Sequence, residues 1–295
     1  MKKLTSISFC LLLTLGIASV VFTACSKDSK DDPISAVTGI ALDKTTLTLA
    51  IGEQYTFTAT ISPSDATDKT VTWTSSDATK ATVANGKVIA VAAGTVTIIA
   101  KAGDKTATST VTVLDGVKIN GIVWAKTNVA ASGTFATNPE STGLLYQWNS
   151  KVSRPATGTV TSWNSSWNGG FTTASAADTW NSANDPSPAG YRVPTYAEIQ
   201  TLLNTAKVTS TWTTQNSVYG RKFTDIATGN SIFLPASGRR GSYDGTLDLV
   251  GSNGYYWSST AYGAYDAYYL DFLSSGAGWY TSNRASGFTV RPVAE

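Results

Sequence analysis

The sequence predicts a β-rich protein of two domains, in which a β-sandwich is followed by an α+β domain. Residues 36–114 alternate apolar and hydroxylated side chains, the period of half-buried strands. Eight of the nine tryptophans lie after residue 115, so the composition changes there. A length of 295 residues also favours more than one domain, since domains usually have about 100–200 residues.

The chain begins with the pattern of a secretory signal that ends at a cysteine. Two lysines precede an apolar run over residues 9–22, which is too short for a flanked transmembrane helix. Small residues precede Cys25 and polar residues follow it. This segment resembles a lipoprotein signal, which implies cleavage after residues 1–24, lipidation of Cys25 and a lipidated tether over residues 25–35. An ordinary signal peptide with an incidental cysteine is the alternative.

The composition removes most catalytic and metal chemistry. Histidine is absent, which excludes the commonest general base and the commonest zinc ligand. Once the signal is removed, Cys25 has no second thiol for a disulfide. Without the two signal lysines, 20 basic side chains balance 20 acidic ones, which disfavours a nucleic-acid partner. We therefore expect no enzyme activity, cofactor or metal, although paired carboxylates or lysine remain open as catalysts.

Residues 36–114 carry several short strands with turn signals between them, as β-sandwiches do. Alternation from Tyr55 to Ile61 predicts one half-buried strand, and Asn85-Gly86 predicts a hairpin turn because both residues tolerate a positive φ. The segment resembles the bacterial Ig-like domain of group 2. The matching stretches include Val37–Ile40, Val71–Asp77, Asn85–Val88 and Gly94–Ile98. The resemblance implies an Ig-like spacer or adhesive module with Trp73 in its core; a ligand site on it is the alternative.

Residues 117–295 contain one clear helix signal. Thr195 as N-cap and Glu198 three residues later form a capping box before an apolar helical face. The segment resembles the major-paralogous-domain family (FISUMP), which implies a C-type-lectin-like fold. The matching stretches include Gly121–Trp124, Gly143–Trp148, Pro188–Thr195, Leu234–Arg239, Tyr256–Thr260 and Gly287–Val293.

Three kinds of site compete in this second domain. Formylglycine-generating enzymes have a related fold but rely on cysteines, which residues 117–295 lack. Calcium-dependent sugar binding needs clustered oxygen ligands, for which Asn138-Pro139-Glu140 and Asn184-Asp185-Pro186 are only partial matches. Loop-forming turn residues explain both triplets equally well.

The third kind of site is a binding surface within residues 255–284. Tyrosines and tryptophan stand there among small polar residues, which is the composition of binding loops. Tyr268, Leu270 and Phe272 alternate on one strand face and are expected to be core. The predicted ligand-binding residues are those between the core positions: Tyr262, Tyr265, Asp266, Trp279, Tyr280, Asn283 and Arg284. Aromatic residues that merely fill a β-rich core are the alternative.

These predictions combine into a lipid-anchored, adhesin-like protein at the outer membrane, exposed at the cell surface. Its lectin-like head is expected to recognise a protein or a glycan non-covalently, and the sequence does not distinguish the two ligand classes. The run from Tyr262 to Tyr268 also uses only residues typical of variable proteins of diversity-generating retroelements, which end in a C-type-lectin-like domain. The alternative from another class is a structural component of a surface assembly such as a pilus or fibre.

Overall fold

The computed structural model describes residues 35–295; the predicted signal, Cys25 and nearly all of the tether lie outside the described residues. Within the described range, no helix is long and apolar enough to cross a membrane. Residues 35–295 form many short strands, one α-helix and one 3-10 helix. The prediction of a β-rich protein is therefore confirmed.

The first nine strands occupy residues 39–114 and form sheets only among themselves. They are β1 (Gly39–Leu42), β2 (Thr46–Ala50), β3 (Gln54–Thr56), β4 (Ala59–Ser62), β5 (Thr72–Ser75), β6 (Ala81–Ala84), β7 (Lys87–Ala90), β8 (Gly94–Ala102) and β9 (Lys105–Leu114). One sheet has the order β2-β9-β8-β5, a second the order β3-β7-β6, and β1 pairs with β4. Their inward side chains form one core that includes Phe57, Val88, Ile98 and Val111.

The hairpin predicted at Asn85-Gly86 is present between β6 and β7. Asn85 has a φ of 50° and Gly86 a φ of 79°, as a two-residue turn with both central residues in the left-handed region requires. The run from Tyr55 to Ile61 is not one strand as predicted. It breaks after Thr56, so that β3 joins one sheet and β4 another. Trp73 is half-buried at the margin of the core, where it stacks on Phe57 at 6.1 Å between ring centroids.

Residues 116–294 form the remaining strands. They are β10 (Gly116–Ile119), β11 (Ile122–Ala125), β12 (Leu145–Gln147), β13 (Ser153–Arg154), β14 (Tyr191–Arg192), β15 (Val208–Gln215), β16 (Val218–Asp225), β17 (Ser231–Pro235), β18 (Arg239–Arg240), β19 (Leu247–Asp248), β20 (Gly254–Tyr262), β21 (Asp266–Leu273), β22 (Gly276–Asn283), β23 (Gly287–Thr289) and β24 (Val293–Ala294). The 3-10 helix covers Ser182–Asn184.

An eight-stranded sheet dominates this part of the chain, with the order β13-β12-β23-β20-β21-β22 and β18 and β19 attached beside β23. A four-stranded sheet has the order β10-β11-β24-β14, and β15-β16-β17 form a three-stranded meander. The large sheet is buried on both faces. Tyr256, Leu270 and Phe272 lie in one core, and Trp257, Tyr269 and Phe288 lie in the other.

Helix α1 (Tyr196–Leu202) begins with the predicted capping box. Thr195 Oγ1 accepts from the backbone N–H of Glu198, and the Glu198 carboxylate accepts from the backbone N–H of Thr195. The same carboxylate pairs with Arg192 at 2.6 Å. Glu198 is therefore a cap partner, as predicted, and it also forms an ion pair that the sequence did not predict. Ile199 and Leu202 anchor the helix in the core below the large sheet.

Candidate functional site

Strand register brings four of the predicted ligand-binding residues to one face of the large sheet. Tyr262 lies opposite Asp266, and Asp266 lies opposite Asn283. Residues directly opposite each other on antiparallel strands project from the same face. Trp279 lies opposite Leu270, four residues along from Asp266, and so belongs to that face too.

Four aromatic rings on this face contact one another, and we call them the aromatic face: Tyr196, Tyr262, Tyr268 and Trp279. Tyr196 stacks on Tyr268 with ring centroids 4.1 Å apart. Trp279 stands edge-on to both, at 5.1 Å from Tyr196 and 5.7 Å from Tyr268. Tyr262 stands edge-on to Tyr268 at 5.3 Å. Stacked and edge-to-face rings at these separations attract one another, so the cluster is pre-organised.

The aromatic face meets solvent at its two ends. Trp279 is 44% exposed and Tyr262 is 52% exposed, whereas Tyr196 and Tyr268 between them are half-buried. Helix α1 supplies Tyr196 as its first residue, and the Tyr196 backbone N–H donates to Thr260 Oγ1 at 3.0 Å. An exposed aromatic surface on a rigid sheet and a capped helix is a contact area that costs little conformational entropy on binding.

Two predicted residues lie apart from this face. Tyr280 lies opposite Tyr269 and projects from the reverse face of the sheet, where it is 57% exposed. Tyr265 is in the turn between β20 and β21 and is 71% exposed. The predicted single patch is thus divided between two faces and a turn, because neighbouring strand residues point in opposite directions.

Arg284 was predicted to contact a ligand, and the structure corrects this. Its side chain has no exposed surface. Its guanidinium donates to the Asp178 carboxylate at 2.8 Å and to the carbonyl oxygens of Ser175 and Gly263 at 2.8 and 2.9 Å. It also lies over the Trp148 ring at 4.5 Å. Every contact of Arg284 is therefore internal, and its role is structural.

Carboxylates beside the site have perturbed acidities with separate causes. Burial raises the pKa of Asp266, and the positive charge of Arg284 opposes this rise. Burial would raise the pKa of Asp178 as well. There the hydrogen bonds from the Ser175 backbone N–H and from Arg284 prevail and lower the pKa. Burial thus decides the direction of the pKa shift at Asp266, whereas hydrogen bonds and the charge of Arg284 decide it at Asp178.

Sequence reasoning missed two members of the aromatic face. Tyr268 alternates with Leu270 and Phe272, which are buried as predicted, but β21 extends past the end of the core and leaves Tyr268 half-buried. Tyr196 precedes Tyr262, the first strand residue of the aromatic face, by 66 residues. The sequence placed Tyr196 only as the first residue of the capped helix. The alternation along a strand does not show where the covering layer ends.

The two partial calcium triplets have structural roles instead. Glu140 accepts from Gln215 Nε2 at 2.6 Å and from Asn216 Nδ2 at 2.8 Å. Asp185 accepts from the backbone N–H groups of Ser187 and Val193. No cluster of three or more acidic, histidine or cysteine side chains suited to a metal occurs in residues 35–295.

Comparison with known families supports the prediction that the first domain is Ig-like. Residues 36–113 match the bacterial Ig-like domain (group 2) family, so this part of the chain is Ig-like. Residues 210–293, which run from within β15 to the first residue of β24, match a domain of unknown function, DUF8237.

Two curated proteins are similar to part of the chain. An Ig-like virion protein of Serratia phage KSP90 is 48% identical over 103 residues, which is 34% of this chain and 37% of that protein. An uncharacterized protein of Clostridium acetobutylicum is 37% identical over 105 residues, which is 35% of this chain and 11% of that protein. The matched region thus covers about a third of one relative's length and a tenth of the other's.

Solved structures of the S-layer protein SbsC are also similar in part. The structure of its domains 4 and 5 aligns with this chain at 30% sequence identity and a TM-score of 0.25. The alignment covers 27% of this chain and 46% of the SbsC chain. A longer SbsC structure aligns at 17% sequence identity and a TM-score of 0.26. That alignment covers 84% of this chain and 26% of the SbsC chain. TM-scores this low do not establish that the folds are the same.

Proposed function

We propose that this chain is a lipid-anchored cell-surface binding protein. In this proposal Cys25 carries the lipid at the outer membrane and the Ig-like domain acts as a stalk. Residues 117–295 form a C-type-lectin-like head of the major-paralogous-domain type, which binds a protein or a glycan without chemical change and without a cofactor. The observation that carries the proposal is the aromatic face, where contacting rings reach solvent at the end of the large sheet.

The chemistry of the aromatic face suits both ligand classes. Tyrosine and tryptophan provide large contact areas with few rotatable bonds, and such residues dominate the energetics of interfaces. The apolar faces of sugar rings stack on the same side chains. Polar groups of Asp266, Asn283 and Gln200 lie beside the rings and supply hydrogen bonds; Gln200 Nε2 already donates to the Tyr196 hydroxyl at 3.0 Å.

The test is a screen of the full chain on glycan and protein arrays, followed by titration of each hit with variants. Trp279→Ala and Tyr262→Ala are each expected to weaken binding at least tenfold, which corresponds to about 1.4 kcal/mol. Tyr243→Ala is the matched control, because Tyr243 is 89% exposed and lies outside the aromatic face. Silence on both arrays, or hits that both variants bind as tightly as the wild type, would refute the proposal.

The anchor is tested separately by Cys25→Ser. We expect this substitution to move the protein from the membrane fraction to the soluble fraction and to remove it from protease shaving of intact cells. Unchanged membrane association would refute lipidation at Cys25 and would leave the binding proposal to its own test.

Diversification by a retroelement is a finer form of the same proposal. It requires a near-identical template repeat and a reverse-transcriptase gene beside this gene. Sequencing the neighbourhood tests it, and a neighbourhood without either element would refute it.

The second candidate function is a structural component of a surface assembly such as a pilus or fibre. The similarity of part of this chain to an Ig-like virion protein, a protein named for a particle, favours it. Electron microscopy of cells with and without the gene distinguishes the two candidates. Loss of fibres on deletion supports the assembly role, and unchanged surfaces support the binding role.

A further inference from the structure

Strand β22 forms an edge of the large sheet. Among residues 35–295 it pairs only with β21, in register from Gly276 to Asn283. From Gly276 to Ser282 it has no backbone hydrogen bond outside that pairing. In an antiparallel pair alternate N–H and C=O groups of an edge strand point away from the partner, so β22 presents about 25 Å of unpaired backbone.

Natural edge strands usually carry features that prevent further pairing, and β22 has none of them. Its sequence from Gly276 to Asn283 contains neither a charged residue nor proline. Its register with β21 is continuous and contains no bulge. Two large apolar side chains, Trp279 and Tyr280, are about half exposed on this strand. A long, uncharged and partly apolar edge is a template for another strand.

Strand β15 is the informative comparison, because it is also an eight-residue edge strand without charge. Its aromatic residue, Trp212, packs against the core and is half-buried. Strand β22 therefore combines the free edge with exposed apolar area, whereas β15 has the free edge without it.

We propose that two copies of this chain pair through antiparallel β22 strands about a two-fold axis, so that one sheet continues across both copies. A two-fold contact places a strand beside its own copy, so a charge near the axis would lie close to the same charge on the second copy. The absence of charge from Gly276 to Asn283 removes that repulsion. This inference goes beyond the proposed binding function and does not depend on a ligand.

The side-chain pattern selects the register. When Trp279 lies on the axis opposite the second copy's Trp279, Tyr280 lies opposite the second copy's Gly278. A glycine across from an aromatic ring on a neighbouring strand gains cover for its bare backbone. At Gly278 the backbone is not in the left-handed region, and a side chain there would first meet the Tyr280 ring at 3.4 Å. Large residues thus meet small ones on one face, and the two indole rings meet on the other.

The contact is modest in size. Trp279 and Tyr280 each have about half of their surface left to bury, on the order of 100 Å² apiece. A specific interface usually buries about 800 Å² on each partner. We therefore expect a dimer with a dissociation constant in the micromolar range, and one in which two aromatic faces lie side by side on the same face of the joined sheet.

The experiment uses the full chain with Cys10→Ser and Cys25→Ser, which remove both native thiols. Sedimentation velocity over a wide concentration range should show a monomer–dimer equilibrium. Gly278→Glu should raise the dissociation constant at least tenfold, because a charged side chain then occupies the place of the second copy's ring. Gly39→Glu adds the same charge on β1, far from β22 in the sheet topology, and should leave the equilibrium unchanged.

Cross-linking tests the register. Trp279→Cys, added to the thiol-free chain, should form a disulfide-linked dimer under mild oxidation, since directly opposite Cα atoms are about 4.5–5.5 Å apart. Tyr265→Cys is more exposed and lies off the edge, so it should cross-link less. Amide hydrogen exchange on the unmutated strand should slow over residues 276–282 as concentration rises.

Several outcomes would overturn the inference. If the wild-type chain stays monomeric to about 1 mM, β22 does not pair with a second copy and the inference is refuted. That result would also be expected if β22 paired with a different partner. A dimer that Gly278→Glu does not weaken, or whose exchange protection lies outside residues 276–282, uses another surface. Cross-linking through Tyr265→Cys but not through Trp279→Cys would exclude the proposed register.

Discussion

Replacement of Arg284 by methionine tests whether this residue is part of the framework. The guanidinium is fully buried and donates to Asp178 and to the carbonyl oxygens of Asn168, Ser175 and Gly263, at 2.8–3.0 Å. It thereby ties a loop before the 3-10 helix to the turn between β20 and β21. Methionine approximates the length of the side chain but provides none of these hydrogen bonds.

The expected loss follows from the charge left behind. Removal of one partner from a buried ion pair costs about 3–5 kcal/mol. Without Arg284, the Asp178 carboxylate, whose side chain is only 11% exposed, keeps the hydrogen bonds from Ser175 but loses its counter-charge. We therefore expect Arg284→Met to lower the free energy of unfolding by about 4 kcal/mol. Adding Asp178→Asn to Arg284→Met removes the unpaired carboxylate and should recover on the order of 1–2 kcal/mol of the free energy of unfolding. The double variant should therefore be more stable than the sum of the two single losses predicts.

Chemical denaturation followed by tryptophan fluorescence measures this loss, because eight of the nine tryptophans lie after residue 115. Lys126→Met is the matched control. Lys126 pairs with Asp115 at 2.5 Å, but both side chains are roughly half exposed, and exposed pairs contribute about 0–1 kcal/mol. If Arg284→Met unfolds within 1 kcal/mol of the wild type, the structural role assigned to Arg284 is wrong.

Three further predictions concern the cores, the hairpin and acid stability. Phe288→Ala should cost about 3–5 kcal/mol in chemical denaturation, because Phe288 is fully buried; a loss below 1 kcal/mol would contradict this. Gly86→Ala should destabilise more than Gly121→Ala in thermal melts, although both glycines have a positive φ. A Cβ at Gly86 would meet the Phe57 carbonyl oxygen at 3.0 Å, whereas one at Gly121 meets nothing within 4 Å; equal losses would exclude the contact as the cause. The lowered pKa of Asp178 stabilises the fold above its unfolded pKa of about 3.9, and this contribution is lost as the pH falls through the folded value. In acid titrations Asp178→Asn should therefore lose less stability than the wild type below about pH 4, and parallel curves would contradict the assignment.

Local features of the fold were predictable from sequence because neighbouring residues determine them. The Asn85-Gly86 turn depends on two positive φ angles, and the cap of α1 depends on Thr195 and Glu198, three residues apart. Strand alternation and turn spacing predicted a β-sandwich in this segment, and the resemblance to the bacterial Ig-like domain of group 2 implied its family. The family match at residues 36–113 supports that resemblance. Leu270 and Phe272 on β21 are buried, as their alternation along the strand predicted.

The candidate site was only partly predictable. Sequence identified Tyr262 and Trp279 as surface aromatics, but it joined Tyr280 to the same patch and gave Arg284 a ligand. It also left Tyr196 out of the aromatic face. These errors share one cause: a strand pattern gives the alternation of side chains but not the layer that covers each face or the place where that layer ends.

The sequence by itself therefore determined that the protein is rich in β-strands, where one hairpin turn lies and where helix α1 begins. It also determined that any chemistry of this chain proceeds without histidine. Tertiary structure alone decided which rings meet and which charges are buried. Arg284 is internal because Asp178, 106 residues away, and carbonyl groups from separate loops converge on it. A buried guanidinium needs such acceptors to replace water, and only the packed chain brings them together.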